Sequence, residues 1–324
     1  MQYKVEPPKM SENHEDEPKV FPAELVEIVP ASAWQFQEMP PPQPVRKRRL
    51  RLPVLLFIAT CLSTLLAGTS EADMQLNWAQ SLIQGLKYAV PLMTILVCHE
   101  MGHFLQAWRH GVYASFPFFI PVPFPPIGTM GAVIAMEARM GHRRALFDIG
   151  ITGPLAGLVP TIIFCVWGIK MSTVEPIVNH LDGTSIGTPL LVNFIIEWLG
   201  KPIPTGYVMN LHPMAFAGWV GLLITSLNLI PIGQLDGGHV LYALLRRKAN
   251  VIARLLLVLA AGAVVYFGLY MWILMIFILI MMGPVHPPTA DDQEPLGWPR
   301  ILLGWLTLAF IPIGFTPMPF IVGQ

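Results

Sequence analysis

The succession of long apolar runs constrains this chain more than any other feature. Apolar stretches occupy residues 53–69, 86–108, 145–170, 213–232, 251–283 and 300–320, with a shorter one at 188–199. A helix needs about 20 apolar residues to cross the hydrocarbon core of a bilayer, and these runs are too long and too crowded for a soluble core. Composition agrees: 54% of residues are apolar, 12% are charged and the mean hydropathy is +0.57, where soluble domains average about 25% charged. The expected fold class is an all-α polytopic membrane protein, a transmembrane helix bundle embedded in the lipid bilayer. The 251–283 run exceeds one crossing and reads as a helical hairpin turning near "YFGLY". The formal net charge of zero gives no reason to expect nucleic acid. Cys61, Cys98 and Cys165 all fall inside apolar runs and form no CxxC, so neither a disulfide framework nor a thiolate zinc site is suggested.

Residues 1–51 are polar, proline-rich and mixed in charge, and end in "VRKRRLRL". They read as a mobile cytoplasmic tail, with residues 52–324 as the membrane-embedded domain. The first apolar run lies too deep for a cleaved secretory signal, and the acidic residues of the tail argue against a transit peptide. Arg46, Lys47, Arg48, Arg49 and Arg51, then Arg109, Arg139, Arg143 and Arg144, then Arg246, Arg247, Lys248 and Arg254 fall on one side of the expected spans. By the positive-inside rule that side, with the N-terminus, is cytoplasmic. The segments 70–85 and 171–210 face the other way.

The stretch 111–137 is apolar but too rich in proline for a spanning helix. A loop dipping to membrane depth is expected there, since irregular backbone is tolerated only when buried in protein or lining a cavity. Its second part, "IGTMGAVIA", suits a short β segment.

Within the 86–108 run stands "HEMGH". His99 and His103 lie one turn apart on one helix face and can bind a single metal, the zinc-site spacing of HExxH. Ionisable groups inside a membrane are costly and usually functional; the competing explanation is a satisfied polar cluster between helices. A zinc site needs a third protein ligand and an open position. Asp236, in "NLIPIGQLDGGHVLY", follows an apolar span at the same predicted depth, although "LDGG" is also good turn chemistry. With one Zn2+ on His99, His103 and Asp236, Glu100 is the candidate base for a hydrolytic water. Asn228 is the candidate donor to a scissile carbonyl or its oxyanion. His239 reads either as an outer partner of the site or as an interfacial histidine. In "TGPLAG", Gly153 and Gly157 suggest close helix packing, "RRALFDIG" an interfacial anchor, and "HPP" at 286–288 a rigid turn.

HExxH together with Asn228, Pro231, Asp236 and Gly237, the pattern NxxPxxxxDG, resembles the site-2 protease family of intramembrane zinc metalloproteases over most of residues 88–290. "PIGTMGAV", "RRALFDIG", "TGPLAG" and "GPVHPP" look like its plastid and bacterial branch, named after ethylene-dependent gravitropism-deficient plant proteins. The resemblance implies His99, His103 and Asp236 as metal ligands, Glu100 as catalytic base, and transmembrane or membrane-proximal segments of other proteins as substrates. The stretch between the two motifs is largely filled by apolar spans, leaving no room for an inserted PDZ module, and the C-terminal tail is too short for a CBS pair. A helical substrate must unwind before its carbonyls can be attacked. Residues 128–134, with Gly128 and Gly131 allowing close backbone approach, are therefore expected to hold it as an extended strand. A different class of function, a zinc-binding transporter or channel, would use the same ligands. It leaves Glu100 and Asn228 unexplained.

Overall fold

The computed structural model describes residues 50–70, 77–136, 141–177 and 184–322. The expected N-terminal tail lies outside the described residues but for its last two positions. Helix α1 is Arg51–Ser70, followed by α2, Trp78–Arg109. Asn77 and Gln80 close a capping box at the start of α2: each side chain accepts from the other's backbone N–H, at 2.9 and 3.1 Å. The helix stops where Gly111 turns into the left-handed region at φ 68°. Its 32 residues span about 48 Å at about 1.5 Å per residue, more than the hydrocarbon thickness, so α2 carries its motif at one end and protrudes or tilts.

The proline-rich stretch forms an antiparallel hairpin, β1 (Phe118–Pro121) and β2 (Thr129–Val133), with an irregularity between Phe119 and Pro121. The expected β segment is thus present. Ser63 of α1 donates to the Gly128 carbonyl at 2.7 Å, Tyr88 of α2 donates to the Ile127 carbonyl at 2.7 Å, and Phe57 meets Phe119 edge to face. The hairpin is therefore moored to both helices.

Helix α3, Arg143–Met171, is followed by β3 (Thr173–Pro176), β4 (Thr184–Ile186), α4 (Leu190–Trp198) and β5 (Tyr207–Asn210). Lys201 completes the C-terminus of α3 by donating to the carbonyls of Ile169, Lys170 and Ser172 at 2.7–3.2 Å. β3 pairs antiparallel with β5, giving the expected loop 171–210 a small sheet of its own.

Helix α5 is Pro213–Asn228. It ends earlier than the apolar run because Pro231 cannot continue it. Asp236 does not sit in a turn after that span: it is the first residue of α6, Asp236–Leu245. A 3-10 turn at Arg246–Lys248 leads to α7 (Ala249–Tyr266), and α8 (Ile273–Met282) completes the expected hairpin around "YFGLY". The last apolar run is not one span. It breaks into α9 (Trp298–Ala309) and α10 (Ile311–Gly314), since Pro312, Gly314, Pro317 and Pro319 deny it a continuous helix, and the last described strand, β6 (Phe320–Val322), pairs with β4.

Helices α2, α3 and α5 make the centre. They approach closely where glycines replace side chains: a Cβ on Gly218 would meet Cys165 at 2.7 Å, and one on Gly221 would meet Ile95 at 2.8 Å and Thr161 at 3.0 Å. Tyr88, Leu92, Leu96, Ile169, Trp219 and Leu222 fill the space between. Large apolar side chains on α1, α7 and α8, such as Leu55, Val258 and Phe277, are exposed and form the lipid-facing surface. Among the described residues, Arg51–Thr69, Trp78–Arg109, Arg143–Met171 and Asp236–Tyr266 are long and apolar enough to cross a membrane. In the last of these the Arg246–Lys248 turn puts three cations mid-run, between α6 and α7. This is a helical, polytopic, integral membrane protein.

Candidate metal centre

The helical repeat brings His99 and His103 to one face of α2, and both are buried. α6 begins directly opposite. His99 Nε2 lies 3.1 Å from Asp236 Oδ2, His103 Nε2 lies 3.3 Å from Asp236 Oδ1, and the two Nε2 atoms are 3.2 Å apart. Tetrahedral zinc with bonds of about 2.0–2.1 Å separates its ligand atoms by about 3.3–3.4 Å. The spacing fits, and so does the donor set of two imidazoles and a carboxylate. His103 Nδ1 donates to the Ile149 carbonyl at 2.7 Å, which leaves Nε2 as the lone-pair nitrogen turned toward Asp236. Among the described residues this trio is the group of histidine, cysteine and acidic side chains placed to hold a metal ion.

Two glycine arrangements make the approach possible. On α3, Gly150, Gly153 and Gly157 lie on one face, and each receives a histidine side chain. A Cβ on Gly153 would coincide with the His103 ring; one on Gly157 would meet His99 Cβ at 3.0 Å; one on Gly150 would meet His239 Cβ at 2.9 Å. The helix-packing expectation for "TGPLAG" is thereby sharpened: what packs into the gaps is the histidine set itself. In "LDGG", a Cβ on Gly237 would clash with the Leu229 carbonyl and one on Gly238 with the Gly233 carbonyl. These glycines let the first turn of α6 lie against the chain leaving α5, which sets the position of Asp236.

Glu100 is buried beside His99 on α2. Asn228, the last residue of α5, directs its Nδ2 to within 3.4 Å of His99 Nε2. Gly131 adopts φ 93°, its N–H donating to Thr129 Oγ1 at 3.0 Å, and lies against Ile224, one turn before Asn228. Gly128 is engaged elsewhere: a Cβ there would meet Ser63 O at 2.8 Å, so it packs the hairpin on α1.

His239, one turn along α6 from Asp236, is buried and donates from Nδ1 to His286 Nε2 at 2.7 Å. The direction follows from His286 Nδ1, which donates to the Pro287 carbonyl at 2.6 Å. Tyr242 stacks on the His286 ring with centroids 4.5 Å apart and donates its hydroxyl to Asp292 at 2.9 Å. Arg143 donates to the carbonyls of Ala243, Leu244 and Glu294 at 2.6–3.2 Å. Thus "RRALFDIG" and "GPVHPP" meet on α6, the helix that opens with Asp236: the former anchors its C-terminus, and the segment after α8 straps its side. His286 was not legible as a site residue, because "HPP" reads as a turn and its partner stands far back along the chain.

Residues 87–268, more than half of the chain, match the family described as Peptidase family M50. Relatives include the probable zinc metalloprotease EGY2, chloroplastic, of Oryza sativa subsp. indica, 28% identical over 242 residues, covering 72% of this chain and 44% of that protein. The probable zinc metalloprotease EGY1, chloroplastic, of Arabidopsis thaliana is 29% identical over 241 residues, covering 72% and 43%. The chain spans less than half the length of these relatives. No solved structure matches it. A chain whose matched segment carries both the paired histidines of α2 and the aspartate that opens α6 belongs to peptidase family M50.

Proposed function

We propose that this protein is an intramembrane zinc metalloprotease that hydrolyses peptide bonds in transmembrane or membrane-proximal segments of other membrane proteins. The observation that carries the reading is the convergence of His99, His103 and Asp236 at zinc-ligand spacing on helices of a membrane bundle, beside a buried glutamate. Bound there, zinc supplies a Lewis acid for the scissile carbonyl and a water made nucleophilic near neutral pH. Glu100, adjacent to the first ligand, takes the proton of the attacking water and delivers it to the leaving amine. The amide of Asn228 donates to the carbonyl oxygen as negative charge develops on it.

Unwound substrate backbone needs partners in an apolar setting. The β1–β2 hairpin supplies extended backbone at the level of α5, and Gly131 rather than Gly128 offers the close approach. The basic residues support a metal centre and N-terminal tail on the cytoplasmic side, with residues 1–51 as a tail appended to the catalytic domain. A transporter would require a polar path through several spans, and α7 and α8 offer almost none.

The test is metal analysis of purified protein together with cleavage of a synthetic transmembrane peptide. We expect one zinc per chain, lost in His99→Ala or His103→Ala. Glu100→Gln is expected to retain zinc while cleavage falls by about 10²-fold or more. Undiminished zinc in the histidine variants, or wild-type turnover in Glu100→Gln, would overturn the assignment.

A further inference from the structure

Helix α6 is poorly equipped to fix its own beginning. Its N-cap is Leu235, which offers no side-chain acceptor, and Gly237 and Gly238 occupy its first turn. It has only 10 residues, and a helix that short depends on tertiary packing. Yet its first residue, Asp236, holds its carboxylate within 3.1–3.3 Å of two imidazoles. That position has to be set from outside the helix.

The strap after α8 meets the chain on both sides of Asp236. Three residues before it, the Gly233 N–H donates to the Pro284 carbonyl at 3.2 Å. Gly233 adopts φ 59° there, and a Cβ on it would meet the Gly283 carbonyl at 2.6 Å. Three residues after Asp236, His239 Nδ1 donates to His286 Nε2 at 2.7 Å. Pro284 and His286 are two positions apart, so one short piece of the strap spans the first turn of α6. That piece is itself held. The His286 N–H donates to Asn250 Oδ1 at 3.0 Å, and Asn250 Nδ2 donates back to the His286 carbonyl at 3.4 Å. With Nδ1 donating to the Pro287 carbonyl, the ring has one tautomer and presents Nε2 as an acceptor. His286 is 6% exposed, so little water competes for that acceptor.

We propose that His286 is a positioning residue for the metal ligand Asp236: with the Pro284 carbonyl it brackets the first turn of α6 and fixes the carboxylate against His99 and His103. This rests on the zinc reading above. Partners that bond a metal ligand directly change affinity by about 10–100-fold when removed. His286 acts through His239, which places its effect at the lower end.

The test compares His286→Phe, which keeps a ring against Tyr242 and removes the acceptor, with His286→Gln, whose side-chain carbonyl can still accept from His239. Tyr242→Phe is the control: it removes the bond to Asp292, another tie of the strap to α6, farther along the helix from Asp236. Zinc affinity is measured on the full-length purified chain by chelator competition, and the ligand field by the visible spectrum of the cobalt-substituted protein. His286→Phe is expected to weaken zinc binding by about tenfold and alter the cobalt spectrum. His286→Gln is expected to restore both, and Tyr242→Phe to match wild type. Asn250→Ala, which releases the backbone of His286 and spares its ring, is expected to act as His286→Phe does, and it decides the matter if the phenylalanine variant does not fold. Wild-type affinity and spectrum in the deciding variant would overturn the inference while leaving the metal centre intact. An equal loss in Tyr242→Phe would also overturn it, since that marks a general loosening of α6. Zinc-free wild-type protein would overturn the metalloprotease reading itself, and this inference with it.

Discussion

Gly153 has no side chain where His103 needs room. In a bundle held by van der Waals contact and not by exclusion of water, small residues set how near two helices come; here they also set where a polar ring can stand. An alanine at this position would place its methyl carbon on the imidazole, and either the helices part or His103 turns away from Asp236. We expect Gly153→Ala to lower zinc affinity by about 100-fold or more, at the upper end of what ligand misplacement costs, with helix content unchanged. Chelator competition and circular dichroism on the same sample check it. Retained affinity would mean the ring has another place to go. The same substitution at Gly262, where a Cβ meets nothing within 4 Å, is the matched control.

At the scale of elements, two pieces of extended chain flank the helical site. The strap after α8 holds α6 through the His239–His286 bond and the Tyr242–Asp292 bond. The β1–β2 hairpin is held by Ser63 and Tyr88, and β2 carries Gly131 to within a turn of Asn228. Proline fixes φ near −65° and has no N–H. Gly131 requires φ 93° and uses its N–H on Thr129, so Gly131→Pro breaks the strand locally without touching a metal ligand. Cleavage is expected to fall by about tenfold or more with zinc content unchanged, since the loss is one of substrate backbone pairing. Peptide substrates with Gly or Pro near the cleaved bond are expected to be cut faster than helix-stabilised ones. Equal rates on both substrates together with an active proline variant would remove the hairpin from substrate binding.

At the scale of the whole molecule, the basic residues bear on which way the bundle stands in the bilayer. Arg109, Arg143 and Arg144 lie at the same ends of α2 and α3 as the metal centre, and Arg246, Arg247 and Lys248 follow α6. The K/R bias of segments near span ends sets orientation, so this end is expected to face the cytoplasm together with the tail before α1. Cysteines introduced one at a time into the tail and into the β3–β5 sheet of a Cys-free chain, probed with a membrane-impermeant thiol reagent, check it. The sheet is expected to label from outside and the tail only after permeabilisation. The reverse pattern would invert the topology.

Hydropathy and spacing are local properties, and what depends on them was legible in the sequence. The apolar runs gave the class and most helices; the four-residue spacing of His99 and His103 gave two candidate ligands, and NxxPxxxxDG gave Asp236 and Asn228 as candidates beside them. Helix ends were less legible: α5 stops at Asn228 and the last run splits, because prolines act against a hydropathy that alone favours continuation. Tertiary structure decided the rest. That Gly150, Gly153 and Gly157 each face a histidine side chain, that Arg143 anchors α6, and that His286 pairs with His239 across 47 positions are facts about which helix faces meet. Sequence determines the period of a helix and the faces it offers. Which partner fills a gap on that face is settled only when close packing brings distant segments together, since a missing Cβ looks the same in sequence whether a leucine or a histidine will occupy its space.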